Sequence, residues 1–296
     1  MFGELLGLAL AQCWLDQGAP APFTLAELGP GRGTLMADAL RATRGVPGFH
    51  AGLRLHLLET SATLRAVQAR TIAVPATWHD SAGTLPDAPL FVIANEFFDA
   101  LPIRQYERRT AGWYERMVGL AGDRLTFGVT PCPLPDPRVA TDPPGTVVEI
   151  CPAAPAIIAS IATRIAAHGG AAIIVDYGGW RSKGDTLQAL RAHAPEHALS
   201  TPGQADLTAH VDFEALALAT PLPRTGLTAQ GTLLQRLGID QRAARLAAGM
   251  AGTTLENHRA ALHRLTGPAE MGSLFQALAF HAPGTPLPPG FNAPET

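Results

Sequence analysis

A chain of 296 residues, 47% hydrophobic and only 16% charged, has enough apolar side chain for a sizeable core, which disfavours a disordered or solenoid protein. Its formal charge of −3 offers no basic field to a phosphate backbone, so no nucleic acid is expected among its partners. Cys13, Cys132 and Cys151 are an odd number at wide spacing with no CxxC pair, which argues against a disulfide framework or a thiolate zinc site and fits a reducing compartment.

The apolar start reads as a buried helix from about Gly3 to Gln17 rather than a signal peptide, because Glu4 and Asp16 flank it and no basic residue appears before Arg32. A short strand, Phe23 to Glu27, leads through a glycine turn into a helix from about Thr34 to Arg44. A second strand, Leu53 to Leu58, ends on Glu59. A helix from Ala62 to Arg70, a short strand from Ala76 to His79 and a fully apolar strand from Pro89 to Ala94 follow. Another apolar strand, Ala171 to Val175, ends at Asp176.

Between these last two strands lie about 75 residues, far more than a simple crossover requires. An insertion at about 104–150 is expected, with a β-hairpin of Trp113 to Leu120 and Arg124 to Val129, a proline-rich link from Pro131 to Pro144, and a strand from Thr146 to Ile150. Ala153 to His168 then makes the returning helix. The stretch at about 232–282 has helical periodicity, and the Pro-rich residues 283–296 are expected to form a flexible tail. The longest uncharged stretch, Met271 to Pro294, is broken by prolines and predicts no membrane span. Repeated strand, turn and helix imply an α/β fold: a Rossmann-like, mostly parallel doubly wound sheet in a single domain over 1–282.

The strongest local signal is Glu27-Leu-Gly29-Pro-Gly31-Arg-Gly33-Thr34, set between a strand and a helix. Closely spaced glycines let the backbone approach a ligand, and the helix start offers free N–H groups. A dinucleotide fingerprint would place its third glycine at Thr34; the acid two residues before Gly29 instead favours S-adenosyl-L-methionine over NAD, since that cofactor carries an amino-acid end and a sulfonium. Glu59 can accept hydrogen bonds from both ribose hydroxyls, as in proteins of either class. Asp80 can reach the adenine amino group or simply occupy a turn.

The second informative run is Asn95-Glu96-Phe97-Phe98-Asp99-Ala-Leu-Pro102, after an apolar strand. Ligands bind outside the carboxyl ends of central strands, so Asn95, as a cofactor contact, and Glu96 and Asp99, as catalytic acids, arrive at the expected reaction centre. Two acids beside two phenylalanines outline a pocket for a guanidinium. The plainer alternative makes Asp99 a helix cap and Glu96 a solvated side chain. Glu149 is a possible third acid; Asp176-Tyr177-Gly178, His210 and Asp212 are further candidates, Asp212 also as a helix cap. His193 and His197 are four apart, but Pro195 spoils a helical metal pair, and no metal is assigned.

Glu27 to Thr34, Asn95 to Pro102 with Ile103-Arg104-Gln105, Asp176-Tyr-Gly, Gly184-Asp-Thr-Leu-Gln188, Asp206 to Phe213 and Met271-Gly-Ser-Leu-Phe275 together resemble the MidA family over nearly the whole chain. These class I S-adenosylmethionine-dependent methyltransferases include a mitochondrial assembly factor for the respiratory NADH dehydrogenase. The resemblance implies protein arginine methylation, with a respiratory NADH dehydrogenase subunit as a candidate substrate. Cys151 stands where the family usually has serine, and Met1 to Gly7 resembles an internal family segment, so a chain lacking the family's N-terminal part is expected. The rival readings are a catalytically silent assembly or interaction protein with the same fold, a nicotinamide oxidoreductase and, last on charge, an RNA methyltransferase. The expected location is a bacterial cytoplasm, or the mitochondrial matrix if the source is eukaryotic; the oligomeric state is not encoded in any motif.

Overall fold

The computed structural model describes residues 1–192 and 194–294 and divides into two compact units. The first comprises Met1–Phe97, Ala156–Asp176 and the chain from Ala217 on; the second comprises Phe98–Pro155 and Tyr177–Leu216.

The first unit begins with α1 (Phe2–Asp16), β1 (Phe23–Leu28), α2 (Thr34–Ala42), a single turn α3 (Phe49–Gly52), β2 (Leu53–Leu58), α4 (Ala62–Thr71), β3 (Ala76–His79) and β4 (Leu90–Asn95). The second unit contributes β5 (Arg104–Arg109), β6 (Gly112–Ala121), β7 (Arg124–Cys132) and β8 (Val147–Ile150). The chain continues through α5 (Ala154–His168) and β9 (Gly170–Gly179), then β10 (Gln188–Arg191), β11 (Ala194–Glu196), β12 (Asp206–Thr208), β13 (Val211–Asp212) and α6 (Phe213–Leu218). It ends in the first unit with β14 (Thr228–Ala229), α7 (Gln230–Arg236), α8 (Ile239–Ala247), α9 (Gly252–Thr266), α10 (Met271–Leu274) and β15 (Phe275–His281).

The first unit is built on a sheet of order β14-β15-β9-β4-β1-β2-β3, in which β1 pairs in parallel with both β2 and β4, and β4 with β9. All six residues of β1 and five of the six in β4 are buried, which is why these strands read as apolar runs rather than alternations. Trp14 of α1 packs against Phe23 of β1 at 5.4 Å and edge-on against Phe49 at 5.2 Å, fixing the helix to one face of the sheet. Glu4, 4% exposed on α1, accepts hydrogen bonds from Arg41 at 2.6 Å and from two nitrogens of Arg242 at 2.8 Å, joining α1 to α2 and α8. The chain leaves β1 for β2 and β3 on one side and returns as β4 on the other, so a topological switch point lies between β1 and β4.

The second unit has a four-stranded antiparallel sheet of order β7-β6-β5-β8, with Tyr106, Trp113, Val139 and Val148 as its buried core, and a smaller sheet of order β11-β10-β12. The hairpin expected at 113–129 is longer than its sequence signal, pairing Trp113 with Cys132 through Ala121 with Arg124.

Two expectations need correction. The helical stretch at 232–282 stops at Leu274, and Phe275–His281 is a strand; all of its residues but Gln276 are buried, and an apolar run without alternation looks the same in a buried helix and a buried strand. Part of the described tail is packed, since Phe291 is 8% exposed and the Gly226 N–H donates to the Asn292 carbonyl at 2.8 Å, while Pro283, Gly284, Pro286 and Leu287 are exposed. Among the described residues no helix is long and apolar enough to cross a membrane.

Candidate functional site

Glu27 is the next-to-last residue of β1 and is 2% exposed. Its carboxyl accepts the backbone N–H of Met36 from the first turn of α2, while Oε2 has no hydrogen-bond partner among the described residues. Burial in this apolar surround pushes its pKa up to about 8. Beyond it, Gly29, Gly31 and Gly33 have φ of +62°, +51° and +78°, values a side chain makes costly. A Cβ on Gly29 would lie 2.9 Å from the Phe97 ring, whereas one on Gly31 would enter open space. The Gly33 N–H closes the turn on the Pro30 carbonyl at 2.7 Å, and α2 starts at Thr34 without a side-chain cap. The result is a concave backbone turn above a buried, half-satisfied acid.

Glu59 follows β2 and is tied to β3 by its own N–H, which donates to the His79 carbonyl at 3.0 Å. One carboxylate oxygen accepts the Ser61 N–H at 2.8 Å and the other accepts Gln68 Nε2 at 3.2 Å. Gln68, fully buried on α4, also donates to the Gly31 carbonyl at 2.8 Å and accepts from Trp78 Nε1 at 2.7 Å. Sequence reasoning missed it, since an uncharged amide in a helix is no signal by itself. Asp80 has a side chain 80% exposed and held by Arg65 at 2.5 Å; Arg65 in turn donates to the Glu59 carbonyl at 2.7 Å. His56 and His79, also unread in the sequence, share a hydrogen bond of 2.8 Å, and burial pushes His56 down to about 4.

Across the switch point, Leu28 is in register with Ala94, so the end of β4 stands beside the glycine turn. Asn95 Nδ2 donates to Glu96 Oε1 at 3.2 Å. Glu96 is exposed and has φ of +49°, a strained value for a non-glycine residue. Its N–H is held by the Val175 carbonyl at 3.0 Å, and the next N–H, of Phe97, donates to the buried Asp176 at 3.2 Å. The strained residue is thus held at the carboxyl end of a central strand by one bond to the backbone and one to the Asp176 side chain. The first unit thus brings Glu27, Gly29, Gly31, Gly33, Thr34, Glu59, Asn95 and Glu96 around one strand-end region.

Asp99 and Glu149 belong to the second unit. Asp99 is 3% exposed, and its carbonyl accepts the Ala209 N–H at 3.0 Å; no helix begins there, so the cap reading fails. Glu149 is occupied by the chain itself: it accepts from Gln105 at 2.7 Å, from the backbone N–H groups of Thr186 and Leu187 at 3.0 and 3.2 Å, and from the Thr186 hydroxyl. Four donors make it a structural connector between β5, β8 and residues 185–187. Asp212 does cap α6 through the Ala215 N–H at 3.2 Å, and His210 stacks on Tyr177. His193 lies outside the described residues. A groove of about 670 Å³ lined by Glu107, Arg116, Asp185 and Glu196 has its carboxylates already engaged, Glu107 by Arg109, Asp185 by Arg116 and Glu196 by Thr201.

Residues 5–232 match the family of S-adenosyl-L-methionine-dependent methyltransferases. The chain is 36% identical over 273 residues to the protein arginine methyltransferase NDUFAF7, mitochondrial, of Mus musculus, covering 82% of this chain, and 33% identical over 311 residues to the Bos taurus protein of that name, covering 94% of this chain and 70% of that one. It spans 63% of the length of the mouse protein. A superfamily member from Burkholderia thailandensis, solved with S-adenosyl-homocysteine bound, superposes with a TM-score of 0.78 at 27% identity over 95% of this chain and 76% of that one. With its glycine turn, buried acid and switch point in the matched region, the chain belongs to the S-adenosyl-L-methionine-dependent methyltransferase family.

Proposed function

We propose that the chain transfers a methyl group from S-adenosyl-L-methionine to an arginine guanidinium of a protein substrate. The observation that carries this reading is the buried Glu27 carboxyl, with Oε2 unpartnered, beneath a glycine turn whose Gly31 faces open space. A ligand with a cationic amino-acid end fits that arrangement; a pyrophosphate would meet a carboxyl instead of bare N–H groups. Glu27 and the glycine turn through Thr34 would hold the amino-acid end, Glu59 the ribose hydroxyls, and Asp80 and Asn95 the remainder. Bound there, the cofactor supplies a methyl group made electrophilic by its sulfonium sulfur.

The rest falls to the acceptor side. A guanidinium has a pKa above about 12 and is a poor nucleophile, so it must be desolvated and its charge drawn to one side. Glu96 and Asp99 are the acids assigned to that clamp. Glu149, offered as a third, is set aside for holding the second unit's sheet together, because three donors converge on its Oε1 and the Thr186 hydroxyl engages Oε2. The names of the NDUFAF7 relatives support arginine as the acceptor. A subunit of a respiratory NADH dehydrogenase, in a bacterial cytoplasm or a mitochondrial matrix, is the first substrate to test.

The test is a calorimetric titration with S-adenosyl-homocysteine and with NADH, followed by labelled methyl transfer into lysate proteins and hydrolysis to amino acids. Binding of the first ligand alone, with label in methylarginine that Glu96→Gln abolishes at unchanged ligand affinity, is the expected result. Label in RNA would overturn the acceptor assignment. Binding without any transfer would give the chain the role of a silent assembly protein.

A further inference from the structure

We infer that Gln68, oriented by Trp78, is a positioning residue that locks the glycine turn to the ribose-binding acid and thereby sets affinity and ribose selectivity for the adenosine part of the cofactor. This rests on the methyltransferase reading given above. An indole N–H can only donate, so the Gln68 amide oxygen must face Trp78 at 2.7 Å and its NH2 group must face the turn. That group then divides its two protons between the Gly31 carbonyl at 2.8 Å and Glu59 Oε2 at 3.2 Å. Gly31, with φ of +51° and open space on its Cβ side, has little packing to hold its peptide, and the Gln68 bond supplies that hold.

The carboxylate count points the same way. Each oxygen of Glu59 accepts one donor from the chain, Ser61 N–H on one and Gln68 on the other. A carboxylate oxygen has about two acceptor positions, so one remains on each. Two remaining acceptors on one planar group match the two O–H donors of a vicinal ribose diol. Without Gln68 the carboxylate keeps only the Ser61 N–H among the described residues and the Gly31 peptide loses its side-chain tie, while the turn keeps its backbone bonds from Gly29 to Leu58 and from Gly33 to Pro30.

The experiment measures dissociation constants of S-adenosyl-homocysteine and its 2′-deoxy analogue for the parent chain, Gln68→Met and Trp78→Phe, with a melting curve for each. Trp78→Phe keeps an aromatic side chain and removes the five-membered ring with its N–H, leaving Gln68 itself in place, so it serves if Gln68→Met does not fold. Both variants should bind S-adenosyl-homocysteine about tenfold more weakly, and the parent's preference for the ribose ligand over the deoxy ligand should shrink toward unity. Unchanged affinity, or a uniform loss with that preference intact, would overturn the inference while leaving the methyltransferase reading in place. A folded parent chain that binds neither ligand would overturn both.

Discussion

Replacing Glu27 by glutamine removes the carboxyl buried beneath the glycine turn and keeps its shape. The ordinary value for this group is 4.5, and burial pushes it up to about 8. Between those values the folded chain retains a proton that the unfolded chain has released, so stability falls as pH rises, by about 1.4 kcal/mol per pH unit. The carboxyl therefore has no cost below its unfolded value, a cost of about 3 kcal/mol by neutral pH, and no further loss above its folded value. In the absence of ligand, Glu27→Gln should match the parent near pH 4.5 and exceed it by about 3 kcal/mol at pH 7, measured by urea unfolding across that range. A cationic ligand reverses the balance, because a nearby ammonium favours the ionised carboxylate. Binding of S-adenosyl-homocysteine at pH 7 should then release about one proton, read as a buffer-dependent enthalpy, and the glutamine variant should bind more weakly and release none. Equal pH slopes for parent and variant, or binding with no proton release, would refute the reasoning.

Glu96→Gly should relieve the strain at φ +49° and raise the unfolding free energy by about 1 kcal/mol in chemical denaturation, while methyl transfer is lost. Glu149→Gln deprives four donors of a charged acceptor and should cost about 2–3 kcal/mol in thermal unfolding, with the affinity for S-adenosyl-homocysteine unchanged. Glu4 is held down to about 2, first by its hydrogen bond from Arg242; the stability it contributes is present above its ordinary 4.5 and is lost as pH falls through about 2. Because Arg41 is half exposed, Glu4→Gln should cost only about 1 kcal/mol at pH 7, and a denaturant titration at pH 7 and pH 2.5 would show the gap narrowing in acid.

The sheet centre was legible because β4 and the start of β9 are apolar runs and β1 and β2 are leucine-rich strands ending at or beside an acidic residue, and their parallel order follows from the intervening helices. The cofactor turn was legible because left-handed backbone at Gly29, Gly31 and Gly33 requires glycine, a demand the sequence records directly. Gln68 was invisible for the opposite reason: its role comes from contacts with Gly31, Glu59 and Trp78, which the fold makes neighbours and no local pattern encodes. Glu149 was ambiguous because an acid near the end of a strand looks the same whether its acceptors await a substrate or are engaged by Gln105, Thr186 and Leu187. Phe275–His281 was misread because burial on both faces erases the period that separates strand from helix.

Every residue assigned to the cofactor lies in the unit containing Met1–Phe97, whereas Asp99 and Glu149 lie in the unit formed by two separate stretches of chain, Phe98–Pro155 and Tyr177–Leu216. On the proposed roles the acceptor side is divided: Glu96 shares the first unit with the cofactor residues, and Asp99 is the acid that can be revised apart from the glycine turn. Relatives that differ in what they methylate should accumulate their substitutions around Glu96 and in those two stretches, with the glycine turn, Glu27, Glu59 and Gln68 changing slowly. In an engineered setting, the glycine turn, Glu27, Glu59 and Gln68 are the part to keep, and the surroundings of Glu96 together with those two stretches are the part to diversify.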